Sequence, residues 1–212
     1  MPEGGRELSW FLPTVSGMDI DWSKELLDQL GFQWDGILRP RLAGLTDEQL
    51  HWEPAPGTWG VRRRAEAVTN MAAGAGDTVI DFALPEPTPP PLTTIAWRLG
   101  HIAMVFGQRA ANHFGAGDLD YPTVDWPLGA HDMLAFVDAQ HDRWIEGVRS
   151  LGPEGLGRPC GPSEGPYADA PMAALVLHIN REVLHHGAEV ALMLDLYEHL
   201  HDAAPRPGGR SS

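Results

Sequence analysis

Apolar residues recur at three- and four-residue steps over four long stretches of the chain, a period that predicts four amphipathic helices. The first spans about 22–42, with Leu27, Leu30, Trp34, Ile37 and Leu38 on one stripe, Asp21 as N-cap and Pro40 near its end, where it kinks or restarts. The second runs from a threonine cap, Thr93 or Thr94, to about Phe114 and carries Ile95, Leu99, Ile102 and Phe106. The third covers about 130–151 on Leu134, Val137, His141, Trp144, Val148 and Leu151, and Gly152 and Pro153 stop it. The fourth starts near Pro171 and reaches about His199 on Met172, Val176, Ile179, Val183, His186, Val190, Met193 and Tyr197.

Between these stretches the pattern changes. Thr46, with Glu48 and Gln49 close behind, opens a short helical turn that ends at Leu50. Two prolines and a glycine in HWEPAPGTWGVRRR forbid a helix, and the alternation of Trp59, Val61 and Arg63 predicts a short strand. Its expected partner is 77–84, DTVIDFAL, rich in β-branched and aromatic residues. A two-stranded ribbon is marginal alone, so it must lie on the bundle. The tract PEPTPPPL reads as a stiff extended strap, and so long a connection leaves the first two helices free not to be antiparallel neighbours. Segments 115–129 and 152–170 read as irregular, glycine- and proline-punctuated loops. The expected fold is mainly α, a four-helix bundle with a small appended two-stranded β-ribbon. It is expected to form a single domain over 19–200, with a flexible segment 1–18 and a disordered tail 201–212.

Charge narrows the function. A net charge of -14, from 29 acidic against 15 basic residues, repels phosphate backbones and anionic lipid, so neither nucleic acid nor a membrane is expected as a partner. Arg62, Arg63 and Arg64 form the one basic cluster, read as a solvated edge or a local anion contact. No basic segment followed by a long apolar run opens the chain, and no run reaches the roughly 18 apolar residues of a membrane span, so the expected location is cytoplasmic. The single cysteine, Cys160, makes no internal disulfide or thiolate zinc site and sits in a Gly/Pro loop without an evident base. No phosphate-binding glycine loop or nucleophile elbow is present. Trp126, in its loop, either marks a contact in a homodimer or folds onto the bundle.

The chemistry lies in histidines that the helical period turns inward. His186 falls on the apolar stripe of the fourth helix, and Glu182 lies four residues earlier on the adjoining edge. Side chains at i and i+4 stand about 5–6 Å apart at Cβ, close enough to reach one cation. His178 extends the row by a further turn, and His185 is the adjacent alternative. The second helix offers His101, on an edge that includes Trp97. Two facing helices supplying His, Glu and His are a usual way for a bundle to hold a divalent metal. Imidazole and carboxylate donors suit zinc, nickel, iron or manganese. The opposing interpretation is a set of neutral core histidines, each satisfied by one hydrogen bond. His141, on the third helix's stripe, is either a packed imidazole or a base standing behind the metal ligands. His51 is expected to cap or face solvent, and His113, His131, His199 and His201 to be partly exposed at helix ends.

The segments TTIAWRLGHIA, LHINREVLHHGAEVALMLDLY and WEPAPGTWGVRRR resemble the DinB-like (YfiT-like) superfamily of metalloenzymes. That superfamily is related to the metal-binding domain of mycothiol-dependent maleylpyruvate isomerases. The resemblance covers roughly the first helix through Tyr197 and implies a bundle whose histidine triad holds a divalent metal, zinc or nickel ahead of iron or manganese. Carried onto this chain, His101 matches the second-helix ligand and His186 the last one, while the middle position is Glu182 in place of histidine. The implied activity is S-transfer or isomerisation of a small-molecule substrate with a low-molecular-weight thiol of mycothiol type. The alternatives are a metal-dependent hydrolase with Glu182 as base, and a non-catalytic binding or stress-response protein.

Overall fold

The structure, a computed structural model, describes residues 20–115 and 117–201. The expectations for 1–18 and for the tail beyond 201 lie outside the described residues. Helix α1 covers residues 22–41 as Trp22–Gln33, one π-helical turn Trp34–Leu38 and a last turn Arg39–Arg41. It is followed by α2, Asp47–His51, and by strands β1, Val61–Arg63, and β2, Thr78–Ile80. The remaining helices are α3, Ile95–Phe114; α4, Ala130–Arg149; α5, Gly152–Gly157; and α6, Met172–His201.

Local signals set most of these boundaries. Asp21 accepts from Lys24 N at the start of α1, and Thr94 accepts from Trp97 N at the start of α3. A reciprocal Thr46–Gln49 capping box opens α2. Pro40 does not break α1, because it falls in the first turn after the π segment, where a missing N–H is tolerated.

The buried apolar positions of α1 and its C-cap are Leu26, Leu30, Trp34, Leu38 and Leu42, spaced by four throughout. In an ideal helix a four-residue step drifts about 40° around the axis, so this stripe would wander off the core. The wider π turn at 34–38 corrects the drift and restores Leu38 and Leu42 to the interior. It also turns Ile37 outward, 42% exposed, against the stripe expected for an unbroken α-helix, and Leu27, beside the buried Leu26, is only partly buried.

Helix directions follow from side chains that meet. Trp34 stacks on His141 and Arg39 pairs with Asp138, so α1 and α4 are antiparallel. Asn180 donates to the Leu26 carbonyl and Arg41 pairs with Asp195, so α1 and α6 run parallel. Arg98 meets Glu189 and His101 meets His186, which makes α3 and α6 antiparallel. Phe106 meets His141 and Phe114 meets Trp144, which makes α3 and α4 parallel. The bundle is therefore up-down-down-up, with α1 packed on α4 and α6 and reaching α3 across the centre through the Trp34–Phe106 edge contact of 5.8 Å. The first two long helices are diagonal partners, as the length of their connection allows.

Parallel α3 and α4 require segment 115–129 to travel back along the bundle. It does so beside α3, with Asp120 on Gln108, Tyr121 on His101 and Trp126 against Gly100. Trp126 is 2% exposed and donates Nε1–H to the Ala73 carbonyl at 2.8 Å, so it folds onto the bundle. A Cβ on Gly100 would lie 3.0 Å from the Trp126 ring, so glycine there sets how closely the crossover approaches α3.

The ribbon pairs Val61 with Ile80, Arg62 with Val79 and Arg63 with Thr78, antiparallel. The second strand ends at Ile80, short of the expected 84, because Asp81 turns its carboxylate inward. That side chain, 0% exposed, accepts from Gly60 N, Val68 N and Arg62 Nε at 2.8–3.0 Å. Trp59, expected in the first strand, instead bridges the strap by exchanging hydrogen bonds with Leu92 and Thr94. Arg62 makes a local anion contact, 15% exposed between Asp81 and Glu53, while Arg64 donates to the Gly74 and Gly76 carbonyls.

Further expectations are corrected. Segment 152–170 is largely helical, with α5 and a 3-10 stretch Pro162–Tyr167, because Pro153 sits at a helix start where its fixed φ favours the turn. Helix α4 ends at Arg149, two residues before the expected end, and α6 extends through His201, the first residue of the expected tail. His51 is not a surface cap, since its Nε2 bonds the Leu128 carbonyl at 2.6 Å. His113 is not exposed either: its side chain is 3% accessible and bonds Glu164 at 2.9 Å. No helix among the described residues is long and apolar enough to cross a membrane.

Candidate metal centre

The antiparallel contact of α3 with α6 brings His101, Glu182 and His186 together, with one ligand atom from each inside a set spanning at most 4.8 Å. His186 Nε2 lies 3.3 Å from Glu182 Oε2. Two donors on a tetrahedral cation at ~2.1 Å would stand about 3.4 Å apart, so this pair already has the required separation. The His101 and His186 rings meet edge-on at 4.7 Å between centroids.

The outer nitrogen of each ring is already engaged. His186 Nδ1 lies 2.8 Å from Glu189 Oε2. A carboxylate has no proton to give, so Nδ1 carries the hydrogen, which leaves Nε2 as the atom turned to Glu182. Arg98 Nη1 also lies 3.2 Å from Nδ1, but its Nε holds the same Glu189 oxygen at 2.9 Å, and the shorter carboxylate contact assigns the proton. In the tautomer that carries its one hydrogen at Nδ1, the Nε2 lone pair and the Glu182 carboxylate face each other across 3.3 Å. A second ring proton would satisfy that pair alone, whereas a cation satisfies His101 as well, so the donor set fits a divalent metal.

His101 is arranged to stay neutral. Burial, then the neighbouring His186, Arg98 and His185, push its pKa down to about 3. Its Nδ1 lies 3.0 Å from the Tyr121 hydroxyl, and in the tautomer protonated at Nδ1 the phenol oxygen accepts and Nε2 is free. Burial pushes Tyr121 up to about 12, so the phenol keeps its proton at neutral pH. Trp97 covers the other face of the imidazole, stacked at 5.3 Å, and its Nε1–H donates to the Asp81 carbonyl at 2.8 Å. The ribbon's buried aspartate thus fixes the tryptophan that packs on the candidate ligand. Arg98 lies over the same indole at 5.0 Å, and burial lowers its pKa despite the opposing pull of Glu189.

The other site residues expected from the sequence separate into three groups. His178 stands beside the triad, its Nδ1 3.4 Å from the second Glu182 oxygen. His185 stacks on His186 at 4.6 Å with its side chain 65% exposed, and joins His186 and Glu189 in a second, more open cluster. His141 is not brought to the site: it packs between Trp34 and Phe106 in the core, 5.2 and 5.4 Å from their centroids. Sequence reasoning missed Glu189, Arg98 and Tyr121. Glu189 lies three residues after His186 and Arg98 three before His101, so helical spacing held the signal for both. Tyr121 comes from the crossover, where no periodicity operates. Burial, first, and Glu164 raise the Cys160 thiol, in keeping with a cysteine that is not a nucleophile.

The depressed His101 pKa has a consequence for the metal-free protein. Between about 3 and 6.5 the unfolded chain binds a proton at His101 that the folded chain refuses. Stability from this residue is therefore present above pH 6.5 and is lost as the pH falls toward 3. Thermal unfolding of the metal-free protein between pH 7 and 5 should show a steeper loss of midpoint than the His101→Gln variant, and parallel curves would contradict the assignment.

No curated protein and no solved structure matches the chain. The model of the DinB superfamily matches residues 29–190, from α1 through the ribbon, α3 and α4 to Val190 of α6, with all three converging residues inside the match. On a match over most of its length, the chain belongs to the DinB superfamily.

Proposed function

We propose that His101, Glu182 and His186 hold a divalent cation, zinc or nickel ahead of iron or manganese. On this reading the protein is a cytoplasmic metal-dependent enzyme that uses a low-molecular-weight thiol, of mycothiol type, to transfer to or isomerise a small molecule. The observation that carries the reading is the convergence of three acceptor atoms from two helices, with the outer nitrogens of both imidazoles already engaged. A divalent cation there supplies Lewis acidity that brings the pKa of a bound water or thiol toward neutrality.

The chain's own residues do the rest. Glu189 retains the Nδ1 proton of His186, and Arg98 holds Glu189 in place. Tyr121 and Trp97 fix the His101 ring on its edge and face and keep water from it. Glu182, with Oε2 on His186 and Oε1 toward His178, has one oxygen at the centre and one toward the open side.

The test is elemental analysis of protein purified without tag or chelator, followed by thiol titration of a cobalt-substituted sample. A stoichiometric divalent metal and a thiol-dependent change in the visible spectrum are expected. Protein that stays metal-free after incubation with zinc, nickel and manganese overturns the metal centre. A loaded protein whose spectrum ignores thiols overturns the thiol chemistry alone.

A further inference from the structure

The outer groove between the parallel helices α1 and α6 exposes large apolar side chains. Trp22 and Ile37 on α1 and Leu177 and Leu184 on α6 are 42–59% exposed. Ile37 stands one turn before Arg41, which pairs with Asp195 of α6, and it adjoins Leu38, whose Cδ2 would lie 2.9 Å from a Cβ on Gly187. Leu184 lies eleven residues, about three turns, before Asp195, and Leu177 seven residues before Leu184, so both share the Asp195 flank of α6. Trp22 stands one turn before Leu26, whose carbonyl accepts from Asn180, and Leu177 lies three residues before Asn180. Trp22 and Leu177 are therefore at one level, at the end of the groove where both helices begin. His186 faces α3 from the other flank of α6, so the groove is separate from the candidate centre.

A single exposed leucine needs no explanation, but four large apolar side chains along one groove mark a surface that is covered. Three observations name the occupant. The chain enters α1 beside the groove, at Ile20 and Trp22, and the preceding segment carries an apolar run over residues 8–12, with Leu8, Trp10, Phe11 and Leu12. Eight steps of chain separate Leu12 from Ile20, a reach of roughly 26 Å when extended, and the groove from Trp22 to Ile37 is about 22 Å long. So short a tether holds the run at an effective concentration on the order of millimolar, whereas a second copy brings a net charge of -14 against another of the same sign.

We propose that residues 8–12 of the same chain seat on the α1–α6 groove, with Trp10, Phe11 and Leu12 covering Trp22, Leu177 and Leu184. The seated run fills the groove up to the Arg41–Asp195 pair and ties the start of α1 to α6. The groove lies apart from His101, Glu182 and His186, so this assignment stands or falls independently of the metal-centred reading.

The test is a nitroxide on Ser9→Cys, in the full chain with Cys160→Ser, read as paramagnetic broadening of methyl signals. Broadening is expected at Ile37, Leu177 and Leu184 but not at Val79 in the ribbon, and to the same extent at every protein concentration. Leu184→Asp should lower the ratio of seated to unseated segment about tenfold, the scale of one leucine's burial, and sharpen the Ile37 and Leu177 signals. Phe11→Ser should do the same from the segment's side, without altering the bundle. Leu200→Asp, at an exposed position beyond the groove, should leave the broadening unchanged, and thermal midpoints check the folding of each variant. Groove signals that stay sharp, or broadening that survives both Leu184→Asp and Phe11→Ser, would overturn the assignment. Broadening in isotope-labelled chains without nitroxide, when mixed with unlabelled chains that carry it, would give the groove to a second copy and overturn the intramolecular seat.

Discussion

Replacing Asp81 by alanine is expected to lower the unfolding free energy by about 3 kcal/mol, read from urea denaturation midpoints at unchanged m-value. The carboxylate is fully buried and accepts from two backbone amides, Gly60 N and Val68 N, and from Arg62 Nε. Removing one partner of a buried ion pair costs about 3–5 kcal/mol, because the other charge is left in a poorly solvated place. The lower end applies because Arg62 keeps Glu53 at 3.0 Å. Asp81→Asn should recover part of the loss, since an amide retains one acceptor oxygen but not the charge. The effect should extend to the candidate centre, because the Asp81 carbonyl holds the indole that stacks on His101. Unchanged midpoints in both variants would mean that the ribbon's hub is not stabilising.

His186→Ala should lose stoichiometric metal altogether, whereas Glu189→Gln should keep it with affinity reduced about 10- to 100-fold. The contrast separates a ligand from the residue that orients it. Alanine at 186 leaves only His101 and Glu182, too few donors to hold a divalent cation firmly. Glutamine at 189 can still accept the Nδ1 proton of His186 through its carbonyl oxygen, but it no longer neutralises Arg98 or raises the basicity of the ring. Competition against a chromophoric chelator measures both affinities. Equal metal retention in wild type and His186→Ala would remove this histidine from the coordination set, and equal affinity in Glu189→Gln would remove the orienting role.

The fold was legible where burial has a period. Ile95, Leu99, Ile102 and Phe106 on α3, and Met172, Val176, Ile179, Val183 and Val190 on α6, lie inside as the pattern predicts. A helical face states what it hides, and His186 on that face pointed inward for the same reason. What the period could not state was partnership. Tyr121 meets His101 because parallel α3 and α4 force the intervening segment to retrace the bundle, a long-range consequence of topology. Arg62 read equally as a solvated edge or a local anion contact, and only Asp81, nineteen residues away, decides for the second. His141 shared the signal of His186 and differs in what surrounds it, the Trp34 and Phe106 rings with one exposed carboxylate in the first case, two carboxylates and a second candidate ligand in the other. The stretch 152–170 misled because proline and glycine mark helix starts and stops alike.

The π turn of α1 bears on how this helix tolerates changes in length. Excising one residue from an ordinary amphipathic helix rotates everything beyond the cut by about 100° and exposes the buried face. Within 34–38 the wider turn already contains one residue more than an α-helical turn would. Loss of the outward-facing Ile37 would convert that turn to α-helix and leave Leu38 and Leu42 pointing where they point now. Helix α1 thus carries a single site at which a codon deletion is geometrically silent, a join between two segments that each find their own seat on the bundle, the first through Leu26 on α6 and the second through Arg39 on α4 and Arg41 on α6.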